Sequence, residues 1–228
     1  LNRLGVITGL ASEADCLSEI PVDRRPLVES AGASPEGARR VARALLSRGC
    51  TGLLSFGTAG GLDPDLGPGA LVLAEAVVAP DGGRFATDAP WRDRLRAALS
   101  GEADMAVATL AGSGHAVSTP AAKRRLRETT GAAAVDMESL GVAEVAAQAD
   151  VPFLALRAVA DPAARAIPPW VMKAVLADGS IAPGAIIRPL LVRPWTVWEL
   201  IGLARENGRA LAALRRVASR AGAGFGLA

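Results

Sequence analysis

Short apolar runs alternate along the chain with stretches whose apolar positions recur at helical spacing. Leu4-Gly5-Val6-Ile7 is continuously apolar and predicts a buried strand over Leu4–Leu10. Ala11–Leu17 then opens a short helix. Pro35 suits a first helical position. Ala38, Val41, Ala42, Leu45 and Leu46 share one face of a helix running to Arg48, and Gly49 ends it. Thr51–Phe56 reads as a second buried strand, with Gly57–Gly61 as a tight turn after it. Further strands are expected over Ala70–Ala79, Asp104–Leu110, Ala132–Asp136 and Phe153–Val159. Helices are expected over Pro90–Leu99, Pro120–Thr129 and Ser139–Gln148, the second of them basic. The polar, proline-bearing stretch from Val22 to Ser34 predicts no definite element.

Strands separated by helices predict an α/β protein, with a mixed or parallel central sheet flanked by helices on both faces. We expect one domain over residues 1–228, with a C-terminal amphipathic extension over 195–220. In such sheets ligands sit beyond the carboxyl ends of the strands. Phe56-Gly57, Asp136-Met137-Glu138 and Ala160-Asp161 all fall at such ends.

The tail opens with prolines over Pro189–Pro194 and continues as a helix over Thr196–Ser219. Val197, Leu200, Ile201, Ala204, Leu211 and Leu214 form one face, with most arginines off it. Three readings stay open for this helix. It packs on the sheet or a subunit interface, it rests Trp195 and Trp198 on an anionic bilayer, or it frays beyond Arg215 among Gly222, Gly224 and Gly226.

Composition narrows the class. Half of the 228 residues are apolar and 21% are charged, as in a soluble globular chain. A net charge of +2 with arginines scattered among acids argues against nucleic acid. Cys16 and Cys50 lack metal spacing and suit a reducing cytosol. With His115 the sole histidine, little supports a zinc site. Strand-like sequence from the start predicts no leader, and no run of 18 apolar residues occurs. The expected location is cytoplasmic, with no metal and no cofactor.

The chemistry centres on carboxylates. A parallel sheet would bring Glu138 and Asp161 side by side, and two opposed acids can cleave a glycosidic bond. Each also has an ordinary role open to it. Glu138 could be a first-turn helix acid, and Asp161 before Pro162 a turn residue. The turn Gly57-Thr58-Ala59-Gly60-Gly61-Leu62 is not a P-loop, since no Lys-Ser or Lys-Thr follows. It is either a tight connection or a ligand cradle of backbone amides.

Val135–Glu138, Arg157–Asp161 and Gly57–Leu62 resemble signature segments of the nucleoside phosphorylase/nucleosidase superfamily. Thr8-Gly9-Leu10-Ala11-Ser12-Glu13 is similar to the N-terminal segment of its methylthioadenosine/adenosylhomocysteine nucleosidase branch. Leu54–Pro64, Ala132–Ser139 and the arginine-rich tail look most like its hopanoid-associated members, which remove adenine from adenosylhopane. The resemblance implies a three-layer phosphorylase/hydrolase-like fold and a homodimer. It implies Asp161 as general acid toward N7 of adenine, Glu138 on the ribose hydroxyls and Glu13 on the attacking water. It further implies substrate contacts from Thr58, Ala59, Gly60, Met137 and the backbone of Val117, with Arg157 pairing an acid to hold the site's shape.

The sequence departs from that family in three places. Ala160 stands where the nucleosidase branch has a serine. A hairpin that relatives place between the first strand and the Pro35 helix is missing, which would open the pocket for a hydrophobic 5′ substituent. Ser55 stands where phosphorylases carry a phosphate-binding arginine, which favours water over phosphate unless Arg39, Arg40 or a neighbouring subunit's arginine fills the gap. His115 falls near the segment that reads the adenine edge in relatives, with a role left open.

Overall fold

The computed structural model describes residues 3–102, 104–172, 196–222 and 224–227. Strands β1 (Leu4–Thr8), β2 (Leu27–Ser30), β3 (Gly52–Gly61), β4 (Leu71–Val78), β5 (Arg84–Ala86), β6 (Met105–Gly112), β7 (Ala134–Asp136) and β8 (Phe153–Asp161) form one mixed sheet. Helices α1 (Ala11–Ala14), α2 (Pro35–Ser47), α3 (Ala89–Ala98), α4 (Pro120–Thr130) and α5 (Ser139–Ala149) connect them, with a 3-10 turn over Asp15–Leu17. The short α6 (Pro169–Met172) and the long α7 (Thr196–Ala221) follow.

The mixed sheet flanked by helices is the expected architecture, but it also closes on itself. β3 pairs β8 and β7, β8 pairs β4, β4 pairs β6, and β6 returns to β7. Long twisted strands permit this, because the two halves of β3 bond different neighbours. β1 flanks its first half (Gly52–Ser55), and β7 flanks Gly60 and Gly61.

Each face carries its own core, as the period-two alternation in β3 requires. Leu53 packs with Ile7, Val72 and the inner faces of α2 and α5. Leu54 and Phe56 pack the other way, with Trp91, Leu95 and the α7 residues Ala210, Ala213, Leu214 and Val217. Local capping follows the sequence. Ser34 Oγ accepts from Gly37 N at 3.0 Å above Pro35, and Asp88 and Thr119 cap α3 and α4 in the same way.

Three expectations are corrected. Gly57–Gly61 is no turn but the second half of β3, with a register shift between Ala59 and Gly60. The segments bearing Glu138 and Asp161 are not adjacent strands, since β3 runs between them, antiparallel to β7 and parallel to β8. β2 and β5 were not expected. Each is short and paired on one side only, so no long apolar run marks it.

The tail helix packs on the sheet through its C-terminal half. Among the described residues beyond Arg215, α7 continues to Ala221. Phe225 is buried edge-on to Phe56, with ring centroids 5.7 Å apart, and Trp91 Nε1 donates to its carbonyl at 2.6 Å. The proline stretch Pro189–Pro194 and Trp195 lie outside the described residues.

Candidate active site

The C-terminal half of β3 forms the floor of a carboxylate cluster. Glu13, on α1, is buried and accepts four hydrogen bonds. Oε2 takes the amides of Gly9 (2.8 Å) and Leu10 (3.0 Å), while Oε1 takes the amide (2.8 Å) and hydroxyl (2.7 Å) of Thr58. These contacts occupy the carboxylate's acceptor sites and fix it against β3.

Arg157 enters from β8, opposite Gly57, and is wholly buried. Its Nε pairs with Asp136, and its Nη2 lies 3.3 Å from Glu138 Oε2. Nη2 also donates to Ser55 Oγ at 2.6 Å and to Ser139 Oγ at 3.1 Å. Ser139 in turn donates to Asp136 through both its hydroxyl and its amide. The expected pairing of Arg157 with an acid therefore exists, with Asp136 as the nearer partner. Nη1 of Arg157 is buried with no partner among the described residues.

Glycines make room for these groups. A Cβ on Gly9 would stand 2.8 Å from Glu138 Oε1 and 3.3 Å from Glu13 Oε2. One on Gly57 would meet Arg157 Nη1 and Glu13 Oε2, and one on Gly60 would lie 3.2 Å from Asp161 Oδ2. Glu13, Glu138 and Arg157 thus meet beside Gly9 and Gly57, and Asp161 lies beside Gly60, three residues further along β3. Ala59 is buried in the core beneath, and Met137 is half-buried between β7 and α5. Val117 sits on the loop before α4, packed on Leu62, Ala111, Ala132 and Val135. His115 is exposed, and its backbone is held by Ser113 Oγ.

The electrostatics follow from burial. Glu138 is pushed up to about 8, because desolvation outweighs the pull of Arg157 while Asp136 and Glu13 add like charge. Asp161 is also raised by burial, against the opposing influence of Lys123. Lys123 is fully buried on α4, and its Nζ meets Asp161 Oδ2 at 2.5 Å. Its place in the sequence carried a weak signal, since it falls three residues before Leu126 on the inward stripe of α4. Asp136 and Ser139 were likewise unassigned in the sequence. Arg39 does not reach this cluster, being paired with Glu144 at 2.5 Å and Glu36 at 3.3 Å. Arg40 is exposed on α2.

A closed mixed sheet with acids beside its glycine-lined strand places the chain among α/β proteins whose sites lie at strand ends. The chain belongs to the phosphorylase superfamily, whose sequence profile matches residues 23–188. A 5′-methylthioadenosine/S-adenosylhomocysteine nucleosidase of Mycobacterium tuberculosis is 28% identical, over 60% of this chain and 69% of its own. The fold matches the nucleosidase of Neisseria meningitidis in complex with methylthio-immucillin-A, with a TM-score of 0.72 at 19% identity, covering 96% of this chain and 98% of that one. The native futalosine hydrolase of Helicobacter pylori superposes with a TM-score of 0.68 at 16% identity, covering 96% and 97%.

Proposed function

We propose that this chain hydrolyses the N-ribosidic bond of an adenine nucleoside carrying a hydrophobic 5′ substituent, with adenosylhopane as the intended substrate. The observation that carries this is the pair Glu13 and Glu138 meeting at Gly9 and Gly57, with Asp161 beside Gly60 further along the same strand. Asp161 delivers its proton to N7 as the N9–C1′ bond breaks and the electron pair leaves with the purine. Burial raises Asp161 against the pull of Lys123, which favours its holding that proton. Water adds to C1′ beside Glu13, and its proton passes to Oε1 of that carboxylate as the Thr58 hydroxyl turns its own donor away. Glu138 holds the ribose hydroxyls. Burial raises it, and positive charge developing on the ribose favours its carboxylate form. Thr58, Ala59, Gly60, Met137 and the Val117 backbone complete the substrate contacts.

Two observations favour water over phosphate. Ser55 is buried under Arg157 and uncharged, and Arg39 is committed to Glu144. The held carboxylate of Glu13 would also repel a phosphate dianion. The orphan Nη1 of Arg157 offers a neutral nucleophile one donor.

The route from β1 to α2 contains only α1, a 3-10 turn and the short β2, with Val22 82% exposed between them. That leaves a side on which a long apolar 5′ group can leave the pocket. Trp198, 73% exposed on the first turn of α7, offers a contact to the lipid surface holding such a substrate. Relatives of this kind also lead us to propose a homodimer.

The deciding experiment is mass spectrometry of the products from adenosylhopane and from methylthioadenosine, with and without phosphate. We expect adenine and the free ribosyl product from adenosylhopane, independent of phosphate. Greater efficiency on methylthioadenosine would overturn the substrate, and a phosphate requirement would overturn the nucleophile. Vesicle co-sedimentation, lost in Trp198→Ala, checks the membrane contact.

A further inference from the structure

Lysine is seldom fully buried, yet Lys123 is 0% exposed on the inward face of α4. Its Nζ donates to Asp161 Oδ2 at 2.5 Å, to the carbonyls of Asp161 and Pro162 at 2.9 Å each, and reaches the Arg165 carbonyl at 3.3 Å. Every partner is an acceptor. Only an ammonium, with three donors and no lone pair, suits that surrounding. The chain leaving β8 therefore wraps a buried cation immediately after the acid proposed to protonate the purine.

We propose that Lys123 is a positioning residue for that acid: by occupying Oδ2 of Asp161 it confines the transferable proton to Oδ1. The same contacts fix the loop from Asp161 to Arg165 and thus the direction in which Oδ1 points. After proton transfer the new carboxylate is left as half of an ion pair, where a bare buried anion would be costly. The inference rests on the reading of Asp161 as general acid, and it adds a residue to which that reading gave no part.

The charged groups facing Asp161 come from three places. Lys123 projects from α4. Glu206 projects from α7 and adds a weaker like charge. Arg165, in the loop after β8, holds Glu206 with a bidentate fork whose Nε–Oε2 contact is 2.9 Å. Of these three charged groups Lys123 draws the acid down, beside a weaker backbone hydrogen bond, so removing it moves Asp161 upward in pH.

The test is Lys123→Met in the full chain, with aspartate labelled at the carboxyl carbon and the Asp161 signal assigned by its loss in Asp161→Asn. In the variant, the Asp161 titration seen by NMR moves up by about one pH unit or more. The alkaline limb of kcat/KM for adenine release moves with it, and kcat falls about tenfold or more with KM little changed. A folded variant whose Asp161 titrates at or below the wild-type pH overturns the proposal, as does a fall in kcat with an unmoved limb. Lys123→Gln, which keeps a donor but loses the charge, carries the same expectation if the methionine variant does not fold. The NMR titration needs no substrate. Failure of the wild-type chain to release adenine would therefore count against the function, while the Lys123 effect would still be read directly.

Discussion

Gly57 stands opposite Arg157 in the β3–β8 ladder, and a Cβ placed on it would lie 2.5 Å from Nη1 of Arg157 and 2.6 Å from Oε2 of Glu13. Both side chains end there, and both are tied: Glu13 by four donors, Arg157 by two acids and two serines. Gly57→Ala therefore displaces one of them by a substantial fraction of an ångström. Misplacement on that scale costs about a hundredfold in rate. We expect kcat/KM for adenine release to fall by at least that factor with the circular dichroism spectrum unchanged. Wild-type turnover would move the active site elsewhere.

The same glycine shows where sequence reading succeeds and where it stops. Helix α2 was legible because Pro35 and the stripe from Ala38 to Leu46 are local signals, which the Ser34 cap reinforces. Gly57–Gly61 was misread as a turn because glycine normally breaks strands. Here partners on both edges keep it extended, and its missing side chains admit Glu13, Arg157 and Asp161. Glu138 and Asp161 were found from strand ends, but β3 between them was not, since pairing order is a non-local property. Lys123 had no role assigned beyond its place in a basic helix. Only the loop after β8 gives it a reason to be buried.

Glu13→Gln should cost more than its similar size implies. All four contacts to Glu13 come from donors, and a glutamine turns one oxygen into an NH2 that faces two of them. An unsatisfied buried group costs about 1–3 kcal/mol. We expect urea unfolding at neutral pH to show a loss in that range, with adenine release down about 10²-fold or more. A variant as stable as the parent would mean that the cradle tolerates an amide.

Arg157→Met removes the one cation between Asp136 and Glu138. Removing one partner of a buried ion pair costs about 3–5 kcal/mol, and the loss should shrink toward acid, because Glu138, already raised by burial, then holds a proton and needs no cation. Thermal unfolding of wild type and variant across acid and neutral pH measures both effects. A penalty independent of pH would assign the damage to lost packing instead.

Glu138 gives the protein a pH dependence with a definite sign. Its ordinary value of 4.5 is raised by burial to about 8 in the folded chain. Between those two values the folded protein keeps a proton that the unfolded chain has lost. Stability therefore falls as pH rises through that window and levels off above it. Asp161 is raised too and acts in the same direction, but it is common to wild type and to Glu138→Gln. The difference between the two isolates Glu138: the variant's Tm should hold flatter as pH rises through the window, overtaking the wild type at its alkaline end. Its KM for the nucleoside should rise, because an amide replaces the carboxyl on the ribose hydroxyls. Parallel Tm curves would show that Arg157 keeps Glu138 ionised throughout, and the site would then already carry the charge that the ribosyl cation needs.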